Sequence, residues 1–205
     1  NPQLARAYYY AGKLYADQLL WEEAVESFRK LLSLNPRYPN ARLEFAGVLL
    51  EAGEPQQAVE ELEKVEGDHE TAAIHRTLAR AYRKSGNNAK AIHHFEKVIA
   101  QDSGDAKMHF EAGEVYEDLK RPQDALKAFR HGALLAPESL EMQERLIEAA
   151  AVLRDEPAAL EGYERLEKLR QLKHVEKAYF AYLYQRHGNR KKALKMYEEI
   201  LQENP

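Results

Sequence analysis

The chain has 205 residues, 44% hydrophobic and 31% charged, enough to bury a sizeable core. Its net charge of -4 argues against general nucleic-acid affinity, which needs a surplus of Lys and Arg to displace counterions. With no Cys there is no disulfide framework, thiolate metal site or Cys nucleophile, and no apolar run approaches the roughly 20 residues that cross a bilayer. The opening Asn1-Pro2-Gln3-Leu4 has neither an initiator Met nor a charged-then-apolar leader, so no signal peptide is read there.

One alanine recurs at Ala24, Ala58, Ala91, Ala125, Ala159 and Ala193, at spacings of 34, 33, 34, 34 and 34. Other columns keep its phase. Four residues later stand Phe28, Leu62, Phe95, Phe129, Tyr163 and Tyr197. Twelve before it stand Gly12, Ala46, Ala79, Gly113, Ile147 and Ala181, and nine before it Tyr15, Leu49, Tyr82, Tyr116, Ala150 and Tyr184. A period in this range marks an array of stacked units.

In chain order, residues 1–4 read as the tail of a preceding unit, because Asn1-Pro2 lies 34 residues before Asn35-Pro36. Asn204-Pro205 closes the chain at the same phase, so the sequence reads as a stretch of a longer array. Unit one, 5–38, carries Tyr8, Ala11, Gly12 and Tyr15 on a first helix, then Ala24 and Phe28 on a second. Unit two, 39–71, has a Gly53 break and a Pro55 helix start; unit three, 72–105, breaks at Gly86 and restarts at Asn87-Asn88. Unit four, 106–139, restarts at Pro122 and stops at Pro137. Unit five, 140–173, is degenerate, with Ile147 and Ala150 where a small and an aromatic residue are usual; unit six, 174–205, breaks at Gly188. Each unit thus predicts two helices with Gly or Ala at their close crossing, and large side chains filling the gaps to the next unit.

These columns resemble the tetratricopeptide-repeat pattern, a Trp-x-x-Leu-Gly-x-x-Tyr stretch followed by Ala, an aromatic and Pro at a period of 34. The resemblance covers essentially the whole chain, and is closest in units one and four. It departs at the Trp column, which holds Tyr8, Arg42, His75, His109, Gln143 and Lys177. It implies an all-α, right-handed superhelical α-solenoid of six repeats and about twelve helices, forming one solenoid domain.

Sequence motifs for chemistry are missing: there is no Walker lysine loop, nucleophile elbow or His-Glu-x-x-His. Adjacent His93 and His94 point about 100° apart on a helix and cannot share a metal on one face. His75 and His109 occupy the Trp column, which predicts a packing role. Glu60, Glu61 and Glu63 read as a solvated outer surface. We therefore expect no enzyme activity, catalytic residue, metal or cofactor.

The resemblance implies instead a non-enzymatic scaffold that holds a partner protein or peptide against the first helices. The candidate partner-binding residues are Tyr9, Lys13, Asn40, Leu43, Arg76, Arg80, Arg83, Lys84, Phe110 and Glu114. Unit three carries six basic and three acidic residues, and its arginines either meet an acidic partner or neutralise Glu114 and Glu117 of the next unit. A chaperone-tail clamp is not expected, since Tyr9, Leu43 and Glu44 fit it poorly. One version of the scaffold is the soluble part of a secretion or polysaccharide-export machine; an RNA-binding repeat is disfavoured because units four and five are acidic on this wall. The compartment stays open between cytoplasm and bacterial periplasm, with no membrane insertion. Leu194, Tyr197 and Leu201 have no following unit to cover them, which predicts weak self-association through open ends.

Overall fold

The computed structural model describes residues 2–65 and 71–203, with the side chain of Glu203 left aside. Among these residues there are twelve helices and no strand. They are α1 (Pro2–Asp17), α2 (Trp21–Leu34), α3 (Ala41–Glu51), α4 (Pro55–Glu63), α5 (Ala72–Lys84), α6 (Asn88–Gln101), α7 (Ala106–Asp118), α8 (Pro122–Leu135), α9 (Leu140–Leu153), α10 (Glu156–Leu169), α11 (His174–Arg186) and α12 (Arg190–Glu203). None is long and apolar enough to cross a membrane. Residues 2–4, expected as a tail, form the first turn of α1, where Pro2 is suited because its missing N–H would have no helical partner. Asn1 and the closing Asn204-Pro205 pair lie outside the described residues, as do 66–70 of unit two.

The expected single domain divides into two compact units, Asn1–Ser103 and Gly104–Pro205. In the first, α1 packs on α2, α3 on α4 and α5 on α6, and each pair stacks on the next. In the second, α7–α8, α9–α10 and α11–α12 repeat the arrangement.

All six hairpins turn through one left-handed residue. Gly53, Gly86 and Gly188 have φ of +80°, +80° and +85°, and Leu19, Lys120 and Arg154 occupy the same phase at 60°, 58° and 55°. Side-chain oxygens start most later helices: Thr71, Asn87, Asp105, Ser139 and Asp155 each accept from a backbone N–H of the first turn.

The small column works by close approach. A Cβ on Gly12 would lie 2.8 Å from Phe28, and one on Gly113 only 2.6 Å from Phe129. Unit five exchanges the roles of its two helices: Ile147 occupies the small position on α9, and Gly162 on α10 leaves the space, since its Cβ would lie 2.6 Å from Ile147 Cγ1. The unit that looks degenerate is a size-swapped version of the same crossing. Phe28, Phe95 and Phe129 are fully buried, and Leu62 and Tyr163 nearly so.

Where the family has Trp, each hairpin carries its own pairing. The Lys30 ammonium stands 5.9 Å above the Tyr8 ring, and Arg42 is ion-paired with Glu61. His75 and His94 bring their Nδ1 atoms to 3.1 Å, while His109 stacks on His131 at 5.3 Å. The Gln143 amide, fully buried, donates to the Ala133 carbonyl at 3.0 Å; Lys177 is ion-paired with Glu199 at 2.9 Å. His75 and His109 are buried as a packing role requires. The acidic run of α4 is not simply solvated. Glu61 is held by Arg42 and Lys64, and Glu63 accepts from the Tyr82 hydroxyl, because α4 lies against the next first helix as well as water.

Candidate protein-interaction surface

The first compact unit, Asn1–Ser103, places eight of the ten candidate residues on α1, α3 and α5 or at their ends. α1 packs on α3 and α3 on α5, so side chains at matching phases become neighbours. Tyr9 stacks on Tyr38 of the α2–α3 connection at 5.1 Å and meets Phe28 edge-on at 6.2 Å. Lys13 reaches across to Glu44 of α3 at 3.4 Å and stands 5.7 Å above the Tyr9 ring. Glu44 accordingly raises the Lys13 pKa; burial, with Glu44 next, raises that of the Tyr9 hydroxyl. Leu43, next to Glu44 in α3, is half-buried.

Asn40 starts α3 in the left-handed region at φ 58°, and its exposed amide makes no capping hydrogen bond. Among non-glycine residues Asn is one that tolerates this conformation, so its side chain stays available at the helix end. Arg76, Arg80 and Arg83 are half-buried along α5, while exposed Lys84 donates from Nζ to the Leu50 carbonyl at 3.1 Å. Lys13 and Lys84 therefore tie neighbouring first helices together, a structural use of wall residues that their sequence columns do not show.

Phe110 and Glu114 belong to the second unit, on α7. Phe110 packs edge-on against Phe129 at 5.6 Å, so it is part of that unit's core packing as well as its surface. Glu117, expected as a partner for the arginines of α5, is taken by Arg145 of α9, which also holds Glu148 at 2.8 Å. On the first helices of this unit the repeat columns place Val152, Val175 and Tyr182 on the same wall. Val152 is 71% exposed and Val175 82%, with Tyr179 and Tyr182 more than a third exposed and mutually stacked. Their columns signal position on a first helix; the structure shows how far each is exposed, the two valines most of all.

Among the described residues no three His, Asp or Glu side chains gather as a metal site. The first unit's wall brings together an aromatic stack, an aliphatic side chain, an exposed amide and a basic helix.

Three tetratricopeptide-repeat family models match residues 20–81, 76–133 and 179–205, together more than half of the chain. No curated protein matches the sequence significantly. Solved structures of similar fold include a MamA protein (22% identity over 84% of this chain and 98% of that one, TM-score 0.71). PilF of Pseudomonas aeruginosa matches at 18% identity over 100% and 93%, TM-score 0.66. A tetratricopeptide repeat protein from Parabacteroides merdae matches at 15% identity over 99% and 81%, TM-score 0.70. With its six helix pairs and its matching columns, the chain belongs to the tetratricopeptide-repeat family.

Proposed function

We propose that the chain is a non-enzymatic scaffold that holds an extended or helical segment of a partner protein on the α1–α3–α5 wall. The tetratricopeptide fold supports an interaction scaffold in general terms; the assignment to this wall is ours. The observation that carries it is the Asn40 amide, exposed and uncommitted beside Leu43 and the Tyr9–Tyr38 stack. An amide supplies both a donor and an acceptor to a partner backbone, and the neighbouring apolar groups supply contact area. The basic α5 then sets encounter rate and register rather than most of the affinity, because exposed ion pairs are worth roughly 0.2–1 kcal/mol each. A photoreactive residue at Asn40 tests this against one at Glu26 on the exposed face of α2. Crosslinks to a partner from Asn40 and none from Glu26 support the reading; the reverse pattern refutes it.

A second reading concerns self-association. Leu194 follows the marker alanine directly, and the same column is buried at Val25, Val59, Ile92 and Leu126 but 60% exposed at Leu194. Leu201 is 71% exposed on the same helix. In this reading copies of the chain associate weakly through α12, and Leu194→Glu abolishes any concentration-dependent increase in mass seen by light scattering.

A further inference from the structure

The chain's positive charge is concentrated in a segment that the repeat pattern does not single out. Residues 168–195 hold nine Lys and Arg and one Glu, a net charge of +8. The other 177 residues carry 21 basic and 33 acidic side chains, a net charge of -12. The segment runs from the end of α10 through α11 into α12, and a half-open cavity of about 350 Å³ lies among these elements.

The cavity has a fixed frame and an available mouth. Arg170 supplies the frame: its guanidinium holds Glu176 of α11 at 2.8 Å and Glu144 of α9 at 3.0 Å, so it is already committed. Lys177, in the Trp column, is spent on Glu199 at 2.9 Å, a pairing of opposite sign to the basic or His residues that the other hairpins place at the Glu199 phase (Lys30, Lys64, Lys97, His131, Arg165). Lys192 lies over the Tyr184 ring at 4.8 Å and donates to its hydroxyl at 3.3 Å. That geometry presents its ammonium at the cavity without neutralising it. Lys195, at 78% side-chain exposure, meets Glu199 only at 3.8 Å. Leu172 and Met196 supply apolar lining beside these charges.

We propose that this cavity, with Lys192 and Lys195 at its mouth, is a docking site for an acidic protein segment, seating one Asp or Glu carboxylate with an apolar side chain beside it. A carboxylate suits the site better than a phosphate. Attraction by the lysines and repulsion by Glu167 and Glu199 both scale with ligand charge, so the choice rests on the apolar lining, which a carboxylate-bearing segment with an apolar neighbour fills and a bare phosphate does not. The apolar lining also favours a peptide side chain over a nucleic-acid backbone, whose binding rests on basic groups without carboxylates between them. The field of the +8 segment steers such a segment toward the mouth, against a chain that elsewhere repels it. This site is separate from the α1–α3–α5 wall and stands or falls without it.

The test is fluorescence anisotropy on the whole chain with a labelled nonapeptide of three Glu-Glu-Leu triplets. Saturable binding that weakens between about 50 and about 200 mM salt is expected, because the contacts are exposed charges. Lys192→Glu with Lys195→Glu weakens it about tenfold or more, and Arg37→Glu with Lys107→Glu, exposed charges elsewhere, changes it less than about twofold. Lys195→Glu alone keeps the Lys192–Tyr184 contact and still weakens binding several-fold, which decides the matter if the double variant misfolds. Absence of saturation, equal loss in the control variant, or tighter binding of a nine-residue oligothymidylate overturns the proposal.

Discussion

Hairpins α5–α6 and α11–α12 share one polar clamp and differ in almost everything around it. In the first, the Tyr82 hydroxyl donates to Glu63 of α4 and accepts from Lys90 at 3.2 Å. In the second, Tyr184 donates to Glu164 of α10 at 3.2 Å and accepts from Lys192 at 3.3 Å. Both ammonium groups stand 4.8 Å from the ring centroid. The clamp ties a first helix to the second helix of the preceding hairpin and to its own partner, so it belongs to the stacking. The Trp column belongs to each hairpin alone: a His75–His94 contact in one, a Lys177–Glu199 ion pair beside an open cavity in the other. A shared stacking device leaves the surface chemistry of each hairpin free to diverge.

The largest effect that tests this contrast is in the core. Phe95→Ala in α6 removes a fully buried ring and is expected to cost about 3–5 kcal/mol, whereas Tyr197→Ala at the same phase of α12 removes a partly buried one and costs less, roughly 1–2 kcal/mol. Denaturant unfolding of the two variants measures the difference, and equal losses refute the placement of Tyr197. If the clamp is equivalent in both hairpins, Tyr82→Phe and Tyr184→Phe should each cost about 1 kcal/mol, since each deletes one hydroxyl with two hydrogen-bond partners.

Turn residues sharpen the comparison further. Leu19 holds a left-handed φ with its side chain 68% exposed, so Leu19→Gly is expected to stabilise by about 1 kcal/mol, and Gly53→Ala at the same phase to destabilise by a similar amount. The smallest effect is the pH slope that Glu176 contributes in the second unit. Arg170 holds the Glu176 carboxyl down to about 2, with the Lys173 N–H adding to it. Because its folded pKa is depressed, its stabilisation is present above the unfolded value near 4.3 and is lost as pH falls toward 2. Glu176→Gln should flatten the melting temperature across that window.

Much of the fold was legible because a 34-residue period repeats the same packing constraints six times. The glycines at 53, 86 and 188 and the prolines at 55 and 122 marked turns and helix starts on their own. Leu19, Lys120 and Arg154 did not, since nothing in a Leu, Lys or Arg side chain announces a left-handed backbone; only their phase with the glycines does. The swap of Ile147 and Gly162 was hidden for a similar reason: a size exchange between two helices looks like a defect in each column read alone. The candidate surface was less legible. Column position identified first-helix residues, but it could not separate Asn40, which stays uncommitted, from Lys84, which is used on the Leu50 carbonyl. The +8 segment was countable from the sequence, yet its cavity depends on how Leu172 and Met196 pack in three dimensions.

The most direct test of the scaffold reading is the affinity of an identified partner for Arg80→Glu with Arg83→Glu, measured beside the melting temperature of the same variant. Binding weakened by about tenfold or more, with the variant still folded at the assay temperature, is the predicted result. Retained affinity with a lowered melting temperature contradicts it, and assigns these arginines to the packing of α5 instead.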